Sequence, residues 1–148
     1  MRPLPRLVVA CGVLAAPAVL AGCGGPDVDD PAYRRSVQDA ASTARYEVDR
    51  LAVEVGSRPR PSRDELVTCE RDGEEGRRVA YSVRVDVGDA ARAVAGNPLR
   101  DRYSSRGWSV TYRGASAVLF QRAGIQMVLV LDADTGTASV GSTGRCVV

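Results

Sequence analysis

The sequence contains no lysine and no histidine, and its 20 basic residues are all arginine. Those absences remove whole classes of chemistry. A histidine general base, a Ser-His or Cys-His nucleophile pair, a Ser-Lys dyad and a lysine Schiff base all need residue types that this chain does not possess. A zinc site would lack imidazole ligands. Aromatic residues make up only 5% of the 148 residues, with one Trp and one Phe, so most of them are needed to fill a core rather than to line a ligand surface. The all-arginine usage reads as GC-rich coding, of the kind found in actinobacteria.

What is present begins with an export signal. Arg2 and Arg6 give a positive start, Leu7 to Leu20 is an apolar run, and Ala21 and Gly22 are the small residues that precede Cys23. The run falls short of the ~20 apolar residues that a permanent membrane helix needs. Pro3, Pro5 and Pro17 also fit a buried helix poorly. Removal of the first 22 residues leaves 126, the size of one domain. It takes away Arg2 and Arg6 and none of the 18 acids, so 18 basic residues face 18 acidic ones and the net charge of +2 vanishes. Nothing in that balance argues for a nucleic-acid partner.

Leu20-Ala21-Gly22-Cys23 resembles the lipobox of bacterial lipoproteins. The resemblance implies recognition of Leu20, Ala21 and Gly22 by a signal peptidase, cleavage before Cys23, and attachment of diacylglycerol to its sulfur. It therefore implies a membrane partner through the lipid and a place on the outer face of the cell membrane. The expected organisation is a signal peptide over 1–22, lipidated Cys23 with a short tether to residue 30, and one domain over 31–148. Cys11 leaves with the signal and Cys23 carries lipid. Cys69 and Cys146 remain, and two thiols in an exported domain are expected to pair.

Asp30-Pro31 looks like a helix start. Tyr33, Val37, Ala40/Ala41, Ala44, Val48, Leu51 and Val55 form an apolar stripe, and Gly56 suits its end. Such a stripe packs on a sheet, or serves as a partner seam. Ser57 to Arg63 reads as an open connector, because Pro59 and Pro61 argue against regular structure. Its three arginines belong to a solvated loop or to a surface that meets anionic head groups or wall polymers. Leu66–Glu70 is a short strand carrying Cys69, and Arg71–Arg78 a charged turn. Val79, Tyr81, Val83, Val85 and Val87 alternate with wetter residues, the clearest strand pattern in the chain, expected to form a hairpin with the Cys69 strand. A second helix is expected from Gly88-Asp89 to about Ser105, interrupted at Gly96-Asn97-Pro98, with Val94, Leu99 and Tyr103 inward and Asn97 recapping the second piece. A β-meander follows. Trp108, Val110 and Tyr112 lie on one strand, Ala117–Arg122 on the next, the nearly continuous apolar run Ile125–Leu131 on a central one, and Thr137–Val148 on the last.

The predicted fold class is α+β, a two-layer sandwich with two helices on one face of a mainly antiparallel sheet, in the order α-β-β-α-β-β-β-β. The whole chain is similar to small cysteine-anchored actinobacterial lipoproteins, a family without assigned function. The lipobox carries this resemblance, with a first helix, a helix ending in Arg106-Gly107-Trp108, a meander and a cysteine beside the C-terminus.

Candidate sites are few. Asp132-Ala133-Asp134-Thr135-Gly136 has the look of a calcium loop, but Thr143 stands where the bidentate Glu belongs, and the same residues make hairpin turns. Glu70, Asp72, Glu74 and Glu75 would be the acids of a glycosidase-like pair, or simply a solvated turn. Trp108, Tyr112 and Phe120 are an aromatic ligand surface or core. Gly107, Gly114, Gly124 and Gly136 make no phosphate-cradling motif. The sequence thus predicts a non-enzymatic, lipid-anchored accessory or binding module of the envelope, with no metal or other cofactor, and an envelope protein or an apolar ligand between helices and sheet as its partner. The alternatives are a carboxylate-based wall-glycan hydrolase and a structural surface lipoprotein.

Overall fold

The computed structural model describes residues 26–87 and 96–148. The signal segment, Leu20, Ala21, Gly22 and Cys23 lie outside the described residues, as do Gly88, Asp89 and Val94 of the expected second helix. Within them the class and element order are as predicted: α1 (Pro31–Val55), β1 (Ser57–Arg71), β2 (Glu74–Asp86), α2 (Asn97–Ser105), β3 (Ser109–Arg113), β4 (Ala117–Arg122), β5 (Ile125–Asp132) and β6 (Thr137–Thr143). The six strands form one antiparallel sheet in the order β1-β2-β6-β5-β4-β3.

Helix α1 starts where the sequence says. The Asp30 carboxylate accepts from the Ala32 amide at 2.9 Å, and Pro31 occupies the first turn, where no amide donor is needed. Val37, Ala41, Ala44, Val48, Leu51, Ala52 and Val55 are buried. They meet Val79, Tyr81, Val83 and Val85 of β2, the dry side of the predicted alternation. Gly56 ends the helix for a different reason from a left-handed cap. Its backbone is extended, and a Cβ there would lie 2.7 Å from the Asp86 carbonyl oxygen, so the chain leaves the helix by passing hard against β2.

Several expectations need correction. Ser57–Arg63 is not an open connector but the first half of the 15-residue β1. Pro59 and Pro61 are tolerated because β1 is an edge strand, with an unpaired side where a missing amide costs nothing. The register slips between Ser57 and Arg60 and again between Pro61 and Arg63, the bulges that absorb them. Arg71–Arg78 is not a turn either. Asp72 and Gly73, with φ of 57° and 84°, form the whole of a two-residue hairpin loop, and β2 begins at Glu74. Positive φ at both positions is what the right-handed twist of a tight hairpin demands. Helix α2 is capped by Gly96, not by Asn97, and Pro98 sits in its first turn. The run Ile125–Leu131 is an interior strand, as expected, but one covered on a single face, with Val130 left 44% exposed.

Helix α2 lies on the same face as α1. Its Leu99 and Tyr103 are buried, and the Tyr103 ring meets Phe120 of β4 edge-on at 4.9 Å and Trp108 at 6.1 Å. Trp108 and Phe120 are therefore core, whereas Tyr112 is 36% exposed and donates its hydroxyl to the Gly96 carbonyl at 3.1 Å. Cys69 and Cys146 form the expected disulfide, 77 residues apart in sequence. It fastens the segment after β6 to the hairpin. Cys69 pairs in register with Gly76, and a Cβ on Gly76 would stand 2.0 Å from the Val147 carbonyl oxygen, so only glycine lets that segment lie so close.

Candidate functional site

The other face of the sheet carries no helix among the described residues, and its centre is hollow. Because β2 points Val79, Tyr81, Val83 and Val85 inward, it points Arg78, Ala80, Ser82 and Arg84 outward. Register then builds rows across three strands. Ala80 lies beside Thr143, which lies beside Gln126; Ser82 lies beside Gly141, which lies beside Val128. The floor residues are small, while the flanking Arg63, Arg78 and Gln126 are long. The result is an open trough of about 480 Å³. Arg78 stands at one end of it. Its Nε is shielded from solvent and has no hydrogen-bond partner among the described residues. Arg63 is paired with Glu65 on the same strand. The Ser82 hydroxyl is held by Ser62 at 2.8 Å. Among the described residues that line it, the trough brings together no nucleophile and base.

A second cluster joins α1, α2 and the end of β4. Glu47 is only 4% exposed, and its Oε1 accepts from Arg122 Nη2 at 2.6 Å. The Arg122 guanidinium lies 4.5 Å from the centre of the Trp108 ring and donates to the Arg106 carbonyl at 3.1 Å. One turn pair further along α1, Glu54 accepts from Arg106 at 2.8 Å and from Arg102 at 3.1 Å. Arg50 lies between the two acids, 3.7 Å from Glu47 and 3.8 Å from Glu54. Burial pushes the Glu54 carboxyl up, but the hydrogen bonds and charges of Arg106 and Arg102 outweigh it and hold the group below its ordinary value. An acid kept ionised in this way donates no proton to a leaving group, so the cluster is suited to clamping α2 on α1 and not to general-acid catalysis. The sequence reading missed both acids. The signal was there for Glu47, a charge at a stripe position between Ala44 and Leu51.

The buried tyrosines give a titration test. Tyr81 donates to Asp49 at 2.8 Å, and Tyr103 keeps its hydroxyl among the arginines and glutamates without a hydrogen-bond partner among the described residues. Burial first, and nearby carboxylates next, push both phenols up to about 12. A raised folded value means stability that is intact below the unfolded pKa of about 10 and is lost as pH rises through the folded one. Ultraviolet titration of the native protein should show two tyrosines ionising only near pH 12, together with alkaline unfolding. Ionisation of all five near pH 10 would contradict the packing. At the other end of the scale the Glu54 contribution runs oppositely. It is present above the unfolded pKa of about 4.3 and lost as pH falls through the lower folded value.

The remaining sequence candidates separate cleanly. Asp132 Oδ1 accepts from the Asp134 and Thr135 amides at 3.1 and 3.2 Å, which closes the β5–β6 turn. The Thr135 side chain first, and the Thr135 and Asp134 amides after it, hold its carboxyl below the usual value. Among the described residues no group of three or more Cys, Asp or Glu is placed to hold a metal ion. Glu70, Asp72, Glu74 and Glu75 are all exposed around the hairpin end. Among the described residues no helix is long and apolar enough to cross a membrane. No family model, no curated protein and no solved structure matches the chain.

Proposed function

We propose that this protein is a lipid-anchored accessory or binding module of the bacterial cell envelope, held on the outer face of the cytoplasmic membrane by Cys23, and that it acts by binding rather than by catalysis. The observation that carries the binding half is the trough on the outer face of the sheet, with the unbonded Nε of Arg78 at its end. The anchoring half rests on Leu20-Ala21-Gly22-Cys23 behind an apolar run and on a disulfide suited to an oxidising compartment. The expected place for a ligand shifts accordingly. Where they are described, the helix and sheet layers meet through Val48, Leu51, Tyr103, Phe120, Met127 and Leu129, all buried, so the ligand belongs on the opposite face. The absence of histidine and lysine, and two buried-cluster acids already committed to arginines, support the non-catalytic reading.

The anchor is tested in the native host. Cys23→Ser should abolish incorporation of labelled fatty acid, leave an uncleaved or released product, and reduce the membrane-bound fraction to background. A serine variant that is still acylated and sediments with membranes would show that Cys23 is not the anchor.

A further inference from the structure

The trough has a direction relative to the chain's N-terminal end. The Tyr33 hydroxyl in the first turn of α1 donates to the Val147 carbonyl at 3.3 Å, and the same oxygen accepts from the Arg77 amide at 2.9 Å. The far end of α1 passes against Asp86. Helix α1 and β2 therefore run side by side, and Arg78 stands at the end from which the tether leaves. Cys23 is three residues before Pro26, where the described chain begins, a span of at most about 11 Å. An acyl chain on Cys23 therefore places this end of the domain at the head-group layer.

The charge on the outer face of β1–β2 is arranged to match. Register puts Arg60 beside Arg84, Arg63 beside Ser82, Glu65 beside Ala80 and Val67 beside Arg78 on that side of β1–β2. Arg60 is paired with Asp86 and Arg63 with Glu65. Arg78 and Arg84 have no ion-pair partner among the described residues. A neutral ligand that displaced water from the trough would leave Arg78 charged and uncompensated, at a cost that an anion avoids. A guanidinium is suited to phosphate, which it can meet with two donors at once. The trough offers Gln126 and Thr143 as neutral donors on the same row, and small residues that admit a bulky head.

We infer that the trough seats the phosphate of an anionic phospholipid head group, with Arg78 as its principal partner, and that the anchored domain lies with the outer face of β1–β2 against its own membrane. This inference rests on the anchoring reading above. It makes the domain a sensor or holder of anionic lipid rather than a passive passenger on its tether.

The test uses the acylated mature chain in nanodiscs of phosphatidylcholine, with phosphatidylglycerol introduced stepwise, observed by NMR at the Arg78 Nε–H and at the amides of Gln126 and Thr143. The Arg78 resonance should shift and saturate with phosphatidylglycerol and stay unchanged in phosphatidylcholine alone. Arg78→Gln should lower the apparent affinity, read at Gln126 and Thr143, about fivefold, the share of one arginine at an anionic surface. Gly141→Leu, whose Cβ would meet only the Ser82 Cβ at 3.5 Å and the Tyr81 carbonyl at 3.8 Å, fills the trough without removing charge and should abolish the shift. No response of Arg78 to phosphatidylglycerol in an acylated chain overturns the inference and leaves the anchor intact. An equal response to inorganic phosphate in phosphatidylcholine discs overturns it in favour of a soluble anion. Mass spectrometry that finds Cys23 unmodified overturns the anchoring reading before any lipid is varied.

Discussion

Replacing both Cys69 and Cys146 by serine should lower stability by about 4 kcal/mol, the loop-closure contribution of a cross-link spanning a loop of this length. The sequence separation of 77 makes that loop most of the folded chain. The two ends that it joins are otherwise held by the β1–β2 ladder and a few hydrogen bonds. β1 is an edge strand exposed along nearly its whole length, with β2 on one side only. The segment after β6 is tied by the bridge between Arg77 and Val147, by the Gly144 amide on the Val79 carbonyl, by Arg71 on the Cys146 carbonyl and by the Tyr33 hydroxyl. Without the disulfide, the segment over Gly76 and the second half of β1 are the first parts to open. Guanidinium denaturation of the oxidised protein and of the double serine variant measures the difference directly. Midpoints that coincide would mean that the native contacts hold these segments unaided.

Arg122→Ala should cost about 3 kcal/mol or more. The loss falls on the residue left behind. Glu47 is almost wholly buried, and without Arg122 only Arg50 among the described residues, at 3.7 Å, remains near one of its oxygens. That oxygen, Oε2, already lacks a hydrogen bond among the described residues. The Trp108 ring loses its covering cation as well, a further contribution of about 0.5–1 kcal/mol. Removing both partners together is a different experiment. Glu47→Leu with Arg122→Met replaces an ion pair by apolar atoms of similar reach and should recover most of the loss. A double-mutant cycle by chemical denaturation therefore gives a large coupling energy. A coupling below about 0.5 kcal/mol would show the pair to be an ordinary surface contact.

These two sites differ in how far the sequence foretold them. The disulfide followed from counting, because two cysteines were removed by position and two were left. Helix α1, the β2 alternation and the meander were legible because local periodicity and turn residues carry them. The first half of β1 was not. Pro59 and Pro61 argue against a strand unless it is known to be an edge, and edge position is a property of the whole sheet. The Glu47–Arg122 pair joins residues 75 apart, a distance at which a single sequence shows no pairing. The trough was hidden for a related reason. Ala80, Ser82, Gly141 and Thr143 are unremarked small residues until register sets them in adjacent rows, and Arg63, read as part of a loop, joins Arg78 only through β1–β2 pairing.

Strand order has a further consequence. β1 and β2 form one hairpin, and β3 to β6 form a meander whose neighbours in sequence are neighbours in the sheet. Each block assembles from short loops, which close early and cheaply. A single long-range seam, β2 against β6, joins them. The sheet is thus built like an open book, two pages on one spine. Helix α1 lies along that spine on one side, the trough is cut into it on the other, and the disulfide stitches it near one end. Anything seated in the trough would touch both pages at once, so its binding would add to the stability of the seam.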